Sequence, residues 1–293
     1  MHMKITFDTT VFWGTDLSFE EQYAMVADIG FKYISPYNKK FPGLIKRPKA
    51  TKEDIAYHKK AIHAAGLTIA SLTTGFRIAD PDEFVRTAAI EHWKRMLDIA
   101  EELEVNTVNT ELGGDINQPE LCEEKLMQSL DVLVPILEKR GIRMDIQAHP
   151  FDFYETHEDA VDIISYYDSK SLGYLYSIPH TFFYDNGKGD IAGMLQYAGR
   201  HLKHILFADT YDHTRNPFRY NLNPPKAHAR VHSHIGVGQG DVDWEACFKT
   251  LREMEFGKKE DTVACFNPLG FPEFAKRDGA AMIQRVTDEL LKD

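Results

Sequence analysis

Residues 107–149 read TVNTELGGDINQPELCEEKLMQSLDVLVPILEKRGIRMDIQAH, and the order of patterns inside this stretch decides the fold. Thr107 to Glu111 is a short β-rich run, and Arg143 to His149 is another. Between them Leu126, Leu130, Leu133 and Leu137 recur at i, i+4, i+7 and i+11, which is one face of a helix, with Pro135 bending it and Gly141 ending it. Strand, helix and strand in that order describe two parallel strands joined by a helical crossover.

The same unit repeats in both directions. The remaining strand-like runs are Lys4 to Thr9, Lys32 to Pro36, Thr68 to Thr73, Gly173 to Ser177, His204 to Ala208 and Thr262 to Phe266, which makes eight in all. Helix starts lie between them: Ser18 stands three residues before Glu21 with Gly30 closing that helix, and Thr51 with Asp54, Asp80-Pro81, and Thr156 with Asp159 mark three more. Eight parallel strands close a barrel, so the sequence predicts a single α/β domain over 1–293, a (β/α)8 TIM barrel. One stretch breaks the rhythm. From about 209 to 243 the chain is rich in His, Pro, Asn, Gly and Arg without periodicity, the mark of a long loop over the active site after the seventh strand.

Composition supports this reading and removes others. With 43% hydrophobic and 12% aromatic residues in 293, and no linker or low-complexity tract, the chain can bury one large core. A net charge of −11 without a basic stripe argues against a nucleic-acid partner, and so against a DNA-repair barrel. The start MHMKITFDTT resembles no leader and no run of apolar residues is long enough for a membrane span, so a soluble cytoplasmic protein is expected. Cys122, Cys247 and Cys265 are widely spaced and odd in number, which fits reduced packing residues.

In such barrels chemistry sits where the strands end at their C-terminal side. The fourth strand exits through Asn109-Thr110-Glu111-Leu112-Gly113-Gly114, the fifth through Gln147-Ala148-His149-Pro150, the sixth through Ser177-Ile178-Pro179-His180 and the seventh through Asp209-Thr210-Tyr211-Asp212-His213. Glu, His, His and Asp thus converge on one mouth, a donor set suited either to a divalent metal or to direct contact with a polar substrate. In the long loop His232 and His234 stand two apart, on one face of an extended chain. Gly236-Val237-Gly238-Gln239-Gly240 lacks the Lys-Ser/Thr of a P-loop and reads as a flexible turn before the helix near Asp243-Trp244. Phe12 and Trp13 follow the first strand and can wall the pocket, while Arg77, Lys188, Arg215 and Arg219 are the cations available to an anionic group. Trp93, Met96 and Leu97 read as core, and Glu53-Asp54 and Glu123-Glu124 as solvated helix residues.

At these residues the chain resembles the xylose isomerase-like superfamily of barrels, which includes sugar isomerases, ketose 3-epimerases and inosose dehydratase. The segments NTELGG, QAHPFDF, PHTFFYDNGKGD, FADT, NLNPP, RVHSHIGVGQGDVDW and HWKRMLDIA are most similar to the IolH-type proteins of myo-inositol catabolism. Typical epimerases of the superfamily hold a divalent metal through Glu, Asp, His and Glu at the ends of their fifth to eighth strands. The matching positions here are Gln147, Ser177, Leu206 and the Cys265-Phe266-Asn267 stretch, and only His180 matches a substrate-contacting residue directly. Either the metal has moved to Glu111, His149, His180, Asp209 and His232, or the barrel works without one.

The resemblance implies a cytoplasmic sugar or keto-polyol isomerase or epimerase, assisted by a divalent metal (Mn, Co, Zn or Mg), that transfers a proton next to a carbonyl. A keto-inositol dehydratase, a sugar-binding barrel without catalysis and a partner subunit are the alternatives. Glu111, His149 and His180 are the expected catalytic residues, with Trp13, Gln147, Ser177, Arg219 and His234 as substrate contacts. The expected partner is a small polyhydroxylated substrate, with no nucleic acid and no membrane, and self-association stays open.

Overall fold

The computed structural model describes residues 3–37, 49–150, 152–180, 189–211, 221–222, 227–228, 233–269 and 272–292. Nine of its strands form one parallel sheet. They are β1 (Lys4–Asp8), β2 (Tyr33–Ser35), β3 (Thr68–Ile69), β4 (Leu72–Thr74), β5 (Thr107–Thr110), β6 (Arg143–Ile146), β7 (Leu172–Ser177), β8 (Leu202–Phe207) and, after a short antiparallel pair β9 (Asn221–Leu222) and β10 (Ala227–His228), β11 (Val263–Phe266).

The nine strands make eight staves. The predicted third strand is split: β3 pairs with β2 and β4 pairs with β5, while the Ala70 N–H between them still donates to Ile34 O at 2.8 Å. In register, Lys4 opposes Val263 and Phe7 opposes Phe266, so the first stave meets the eighth and the barrel closes. The stave order places the fourth, β5, diametrically across from the eighth, β11.

Eight α-helices among the described residues wrap this barrel: α1 (Phe19–Ile29), α2 (Lys52–Ala64), α3 (Glu83–Glu102), α4 (Pro119–Arg140), α5 (His157–Tyr167), α6 (Ile191–Ala198), α7 (Trp244–Glu253) and α8 (Pro272–Val286). Their ends follow the local chemistry of the sequence. Ser18 and Glu21 form the reciprocal capping box of α1, and Gly30 ends it at φ 110°, a left-handed conformation that only glycine adopts without cost. Thr51 and Asp54 repeat the box at α2. The start of α3 falls two residues later than the Asp80-Pro81 signal, because Asp82 rather than Asp80 accepts the Phe84 and Val85 N–H groups. Pro135 sits inside α4 without breaking it.

The leucine stripe of α4 packs as its spacing requires: Leu126, Leu130, Leu133 and Leu137 are all fully buried. Trp93, Met96 and Leu97 on α3 are fully buried too, which makes them core residues. Inside the barrel the strands carry polar groups where many barrels carry aliphatic ones. Thr6, Ser35 and Ser71 form a buried hydroxyl chain at 3.1 and 2.8 Å across the first three staves. No described helix is long and apolar enough to cross a membrane.

Candidate active site

A cavity of about 190 Å³ opens at the C-terminal ends of the strands. It is smaller than a drug-sized pocket, and its walls suit a compact, hydroxyl-rich molecule. Strand alternation explains which side chains reach it: Asn109 and Glu111 do so from β5 and its exit, Gln147 and His149 from the exit of β6. Asp8 and Thr10 line it from the first stave, and Asn267 from the exit of β11. Trp13 and Tyr37 form the aromatic part of the rim, with ring centroids 5.6 Å apart.

Four of the expected site residues, together with a buried amide and a buried carboxylate, lie along one arc. Glu111 Oε1 is 3.5 Å from His149 Nε2. His149 and His180 pack edge to face at 4.9 Å between centroids, and His180 and His234 at 5.4 Å. His234 Nδ1 then donates to Asn267 Oδ1 at 2.6 Å, and Asn267 Nδ2 donates to Asp8 Oδ2 at 3.0 Å. The imidazoles have a common orientation, since His149 Nδ1 donates to Pro150 O at 2.7 Å and His180 Nδ1 to Ala148 O at 3.0 Å. A carbonyl oxygen only accepts, so each of these Nδ1 atoms carries a proton, and in the neutral ring the lone pair falls on Nε2. Gln147 also lines the cavity, and its buried Oε1 has no hydrogen-bond partner among the described residues, which makes it an acceptor suited to a ligand hydroxyl.

Other expected residues stand elsewhere. Asp209 does not line the cavity. Its carboxylate is fully buried and accepts four N–H groups: Thr210 and Val242 on Oδ1 at 2.8 and 3.2 Å, Gly238 and Trp244 Nε1 on Oδ2 at 2.7 and 2.9 Å. Asp209 and Ile235 also exchange backbone hydrogen bonds. The residue expected as a metal ligand is thus the clasp that secures the segment carrying His234. The glycine-rich 236–240 stretch is part of that clasp, because a Cβ at Gly240 would collide with Thr210 O and with Asp209 itself. Ser177 is buried at the end of β7 outside the cavity lining. Arg77 is occupied by Asp80 at 2.7 Å and by Gly114 O at 3.0 Å. His232, Arg219, Arg215, His213 and Lys188 lie outside the described residues.

Two carboxyls, Asp8 on the arc and the half-buried Asp152 beside it, have raised pKa values. Burial pushes Asp8 up to about 6, against hydrogen bonds from Thr10 and Asn267 that pull it down. Burial likewise raises Asp152 to about 6, opposed by His149 and reinforced by Glu111; its Oδ2 accepts the Leu112 and Gly113 N–H groups at 3.1 and 2.9 Å. For Asp8 the folded pKa lies above the unfolded one, so the native state holds a proton that the unfolded chain releases. Its contribution to stability therefore falls as pH rises from about 4 through about 6. In urea denaturation, wild type is expected to lose about 2 kcal/mol relative to Asp8→Asn between pH 4 and pH 7. A difference between the two that is flat in pH would contradict this environment for Asp8.

At the positions where the superfamily holds its metal, this chain carries residues of another kind. Leu206 brings an apolar side chain to the cavity, Ser177 lies off it, and the Asn267 amide is taken by His234 and Asp8. Of the displaced set, Asp209 is clasped away and His232 lies outside the described residues; among the described residues no group of three or more His, Cys, Asp or Glu side chains is placed to hold a metal ion. The described donors alone do not make up a divalent-ion site.

Three comparisons bear on this site and its barrel. A family profile of xylose isomerase-like TIM barrels matches residues 23–284. No curated protein matches the sequence. Among solved structures, the D-psicose 3-epimerase of Clostridium cellulolyticum H10 with D-tagatose superposes with a TM-score of 0.72 at 16% identity, covering 98% of this chain and 99% of that one. The 3-keto-D-glucoside 4-epimerase of E. coli gives 0.68 at 18%, covering 96% and 99%. A probable 3-DHS dehydratase of Bacillus anthracis, involved in petrobactin synthesis, gives 0.68 at 15%, covering 97% and 99%. At these identities the likeness is one of fold.

Asp8, Tyr37, Thr73 and Asn109 line the cavity without having been singled out as site residues, and Asn267 had been noted only as a replaced ligand position. One available signal was the alternation Lys4, Thr6, Asp8, which puts three polar side chains on one face of a strand that should be buried on both.

Proposed function

The chain belongs to the xylose isomerase-like TIM barrel family, and from that premise we propose that it is an enzyme that moves a proton at a carbon next to the carbonyl of a small keto-sugar or keto-polyol, isomerising or epimerising it. The observation that carries this reading is the arc of Glu111, His149, His180 and His234 around a cavity of about 190 Å³. Proton abstraction beside a carbonyl needs a base within reach of the C–H bond and polar groups around the developing enediolate. Glu111 is the base. His149 lies against its carboxylate, where a proton between the two would hold them together once the base has been used. His180 and Gln147 bind the substrate's oxygens, and Trp13 with Tyr37 covers its apolar face.

The solved neighbours include epimerases of ketoses and of a keto-glucoside, which supports a carbonyl-bearing sugar as the substrate class. Within that class a cyclic keto-polyol such as an inosose is the finer proposal, drawn from the sequence resemblance. Elimination of water is a second reading, favoured by the dehydratase among the neighbours, because loss of a β-hydroxyl can follow the same enediolate. The three free, buried cysteines suit a cytoplasmic setting.

The test is incubation of the full chain with a panel of ketoses, keto-glucosides and inososes, with and without added divalent ions, followed by NMR of the products. An epimer or isomer is expected from at least one member. A sugar that raises Tm while the whole panel stays unconverted would replace this reading with a binding barrel.

A further inference from the structure

We infer that Asn267 is a positioning residue that holds His234 in its Nδ1–H form, and that His234 Nε2 is a second proton-transferring group, across the barrel mouth from Glu111. This rests on the proton-transfer reading above and deepens it. The inference is forced by hydrogen-bond bookkeeping along a buried chain. Asp8 Oδ1 accepts the Thr10 N–H at 2.8 Å, and an ionised Asp8 Oδ2 can only accept as well. It therefore turns the Asn267 amide so that Nδ2 faces it at 3.0 Å, with Thr10 Oγ1 a second acceptor for the same nitrogen at 3.2 Å. That leaves Asn267 Oδ1 facing His234 Nδ1 at 2.6 Å, with the backbone Asn267 O at 3.3 Å also able only to accept. Nδ1 must donate, and the lone pair of neutral His234 lies on Nε2.

All members of this chain are buried: Asp8 is 5% exposed, Asn267 4% and His234 7%, and all line the cavity. A misaligned polar group is costly there, so one arrangement dominates. The acid-amide-imidazole order follows the logic of a catalytic triad, in which an outer group sets the tautomer of the working imidazole. The Asp8 charge also polarises the amide, making Oδ1 a better acceptor for the imidazolium that forms.

The location decides what this adds. Glu111 leaves the fourth stave and Asn267 the eighth, on opposite sides of the barrel. An epimerase needs one group on each face of the carbon it inverts. In the forward step the Glu111 carboxylate takes the proton as the C–H bond breaks. The bonding pair forms the enediolate C=C, and the carbonyl π pair moves to oxygen. The His234 imidazolium then delivers its Nε2 proton to the opposite face, the enediolate collapses to the ketone, and the two groups exchange protons with solvent. The reverse direction uses the neutral His234 Nε2 as base and the protonated Glu111 as acid.

The test reads the ring nitrogens of His234 by long-range 15N–1H NMR on the full chain labelled with 15N-histidine at pH 8, with His234→Gln to assign the resonance. Wild type is expected to show Nδ1 protonated and Nε2 unprotonated; a protonated Nε2 with bare Nδ1 overturns the inference. Asn267→Leu, close in volume, is expected to average the two tautomers and to lower kcat at least tenfold with KM changed less than threefold. An unchanged spectrum and kcat would show that Asn267 positions nothing. Asn267→Asp keeps an acceptor toward Nδ1 and is expected to retain the Nδ1–H spectrum, so it decides the point if the leucine variant fails to fold. The spectrum needs no substrate. If no keto-sugar is turned over, the functional reading and the proton-transfer role fall together, while the tautomer is still decided on its own.

Discussion

Glu111→Gln is expected to lower turnover by a factor of about 10²–10⁴ while leaving substrate affinity within a few-fold. The substitution keeps the size and one acceptor oxygen of the side chain and removes only its capacity to take a proton. Glu111 is one-third exposed at the rim and touches His149 at 3.5 Å, so the fold does not depend on it. The loss should therefore appear in kcat, with the midpoint of denaturation unmoved. The measurement is steady-state kinetics on the substrate found in the panel, beside a urea melt of the same preparation. A fall of less than tenfold would move the base to another residue on the arc.

Asp145→Asn is expected to destabilise the fold by about 3–5 kcal/mol. Asp145 is fully buried inside the barrel below the cavity and receives both Nε and Nη2 of Arg143 at 2.6 and 3.0 Å. Arg143 is itself buried, so an amide in place of the carboxylate leaves the guanidinium without its paired charge, with only the more distant Asp261 carboxylate to offset it. Gly173 on β7 makes room for the pair, since a Cβ there would strike Asp145 Oδ1. Burial alone would raise the Asp145 carboxyl, but attraction to Arg143 and its hydrogen bonds, with His204 Nδ1 3.4 Å from Oδ2, outweigh it and hold the pKa at about 2. With the folded pKa below the unfolded one, this stabilisation is complete above about pH 4 and is lost as pH falls through about 2. Urea denaturation at pH 7 checks the mutation. A shift below about 1 kcal/mol would contradict the pairing, and replacing both residues by leucine should recover much of the loss.

The barrel was legible because its cues are local. Periodicity in α4, the capping boxes of α1 and α2, and β-rich runs at regular spacing are written over a few residues each, and the structure keeps all of them. Glu111, His149 and His180 were legible for a related reason: position at a strand end is a property of the sequence once the strands are assigned. Asp209 shows where that rule stops. Leu206 faces the cavity, and alternation along the chain sends Asp209 to the other face, where a Trp and three backbone N–H groups from across a loop enclose it. Residue type suggested a ligand, but face parity and partners some thirty positions away decided otherwise.

Asn267 was hidden more deeply. Its partners, His234 and Asp8, stand 33 and 259 residues away, and no local pattern announces a contact of that span. In the sequence it appeared as the loss of a ligand. In the folded chain it joins a carboxylate to an imidazole, and the family resemblance spoke to the position without indicating the replacement's role.

The most direct test of proton transfer next to a carbonyl is turnover in D2O, with product and recovered substrate examined by 1H NMR and mass spectrometry. One deuterium at the carbon beside the carbonyl, acquired at a rate comparable to turnover and abolished together with it in Glu111→Gln, is the predicted result. Product formed without solvent deuterium at that carbon would point to hydride movement and contradict the account.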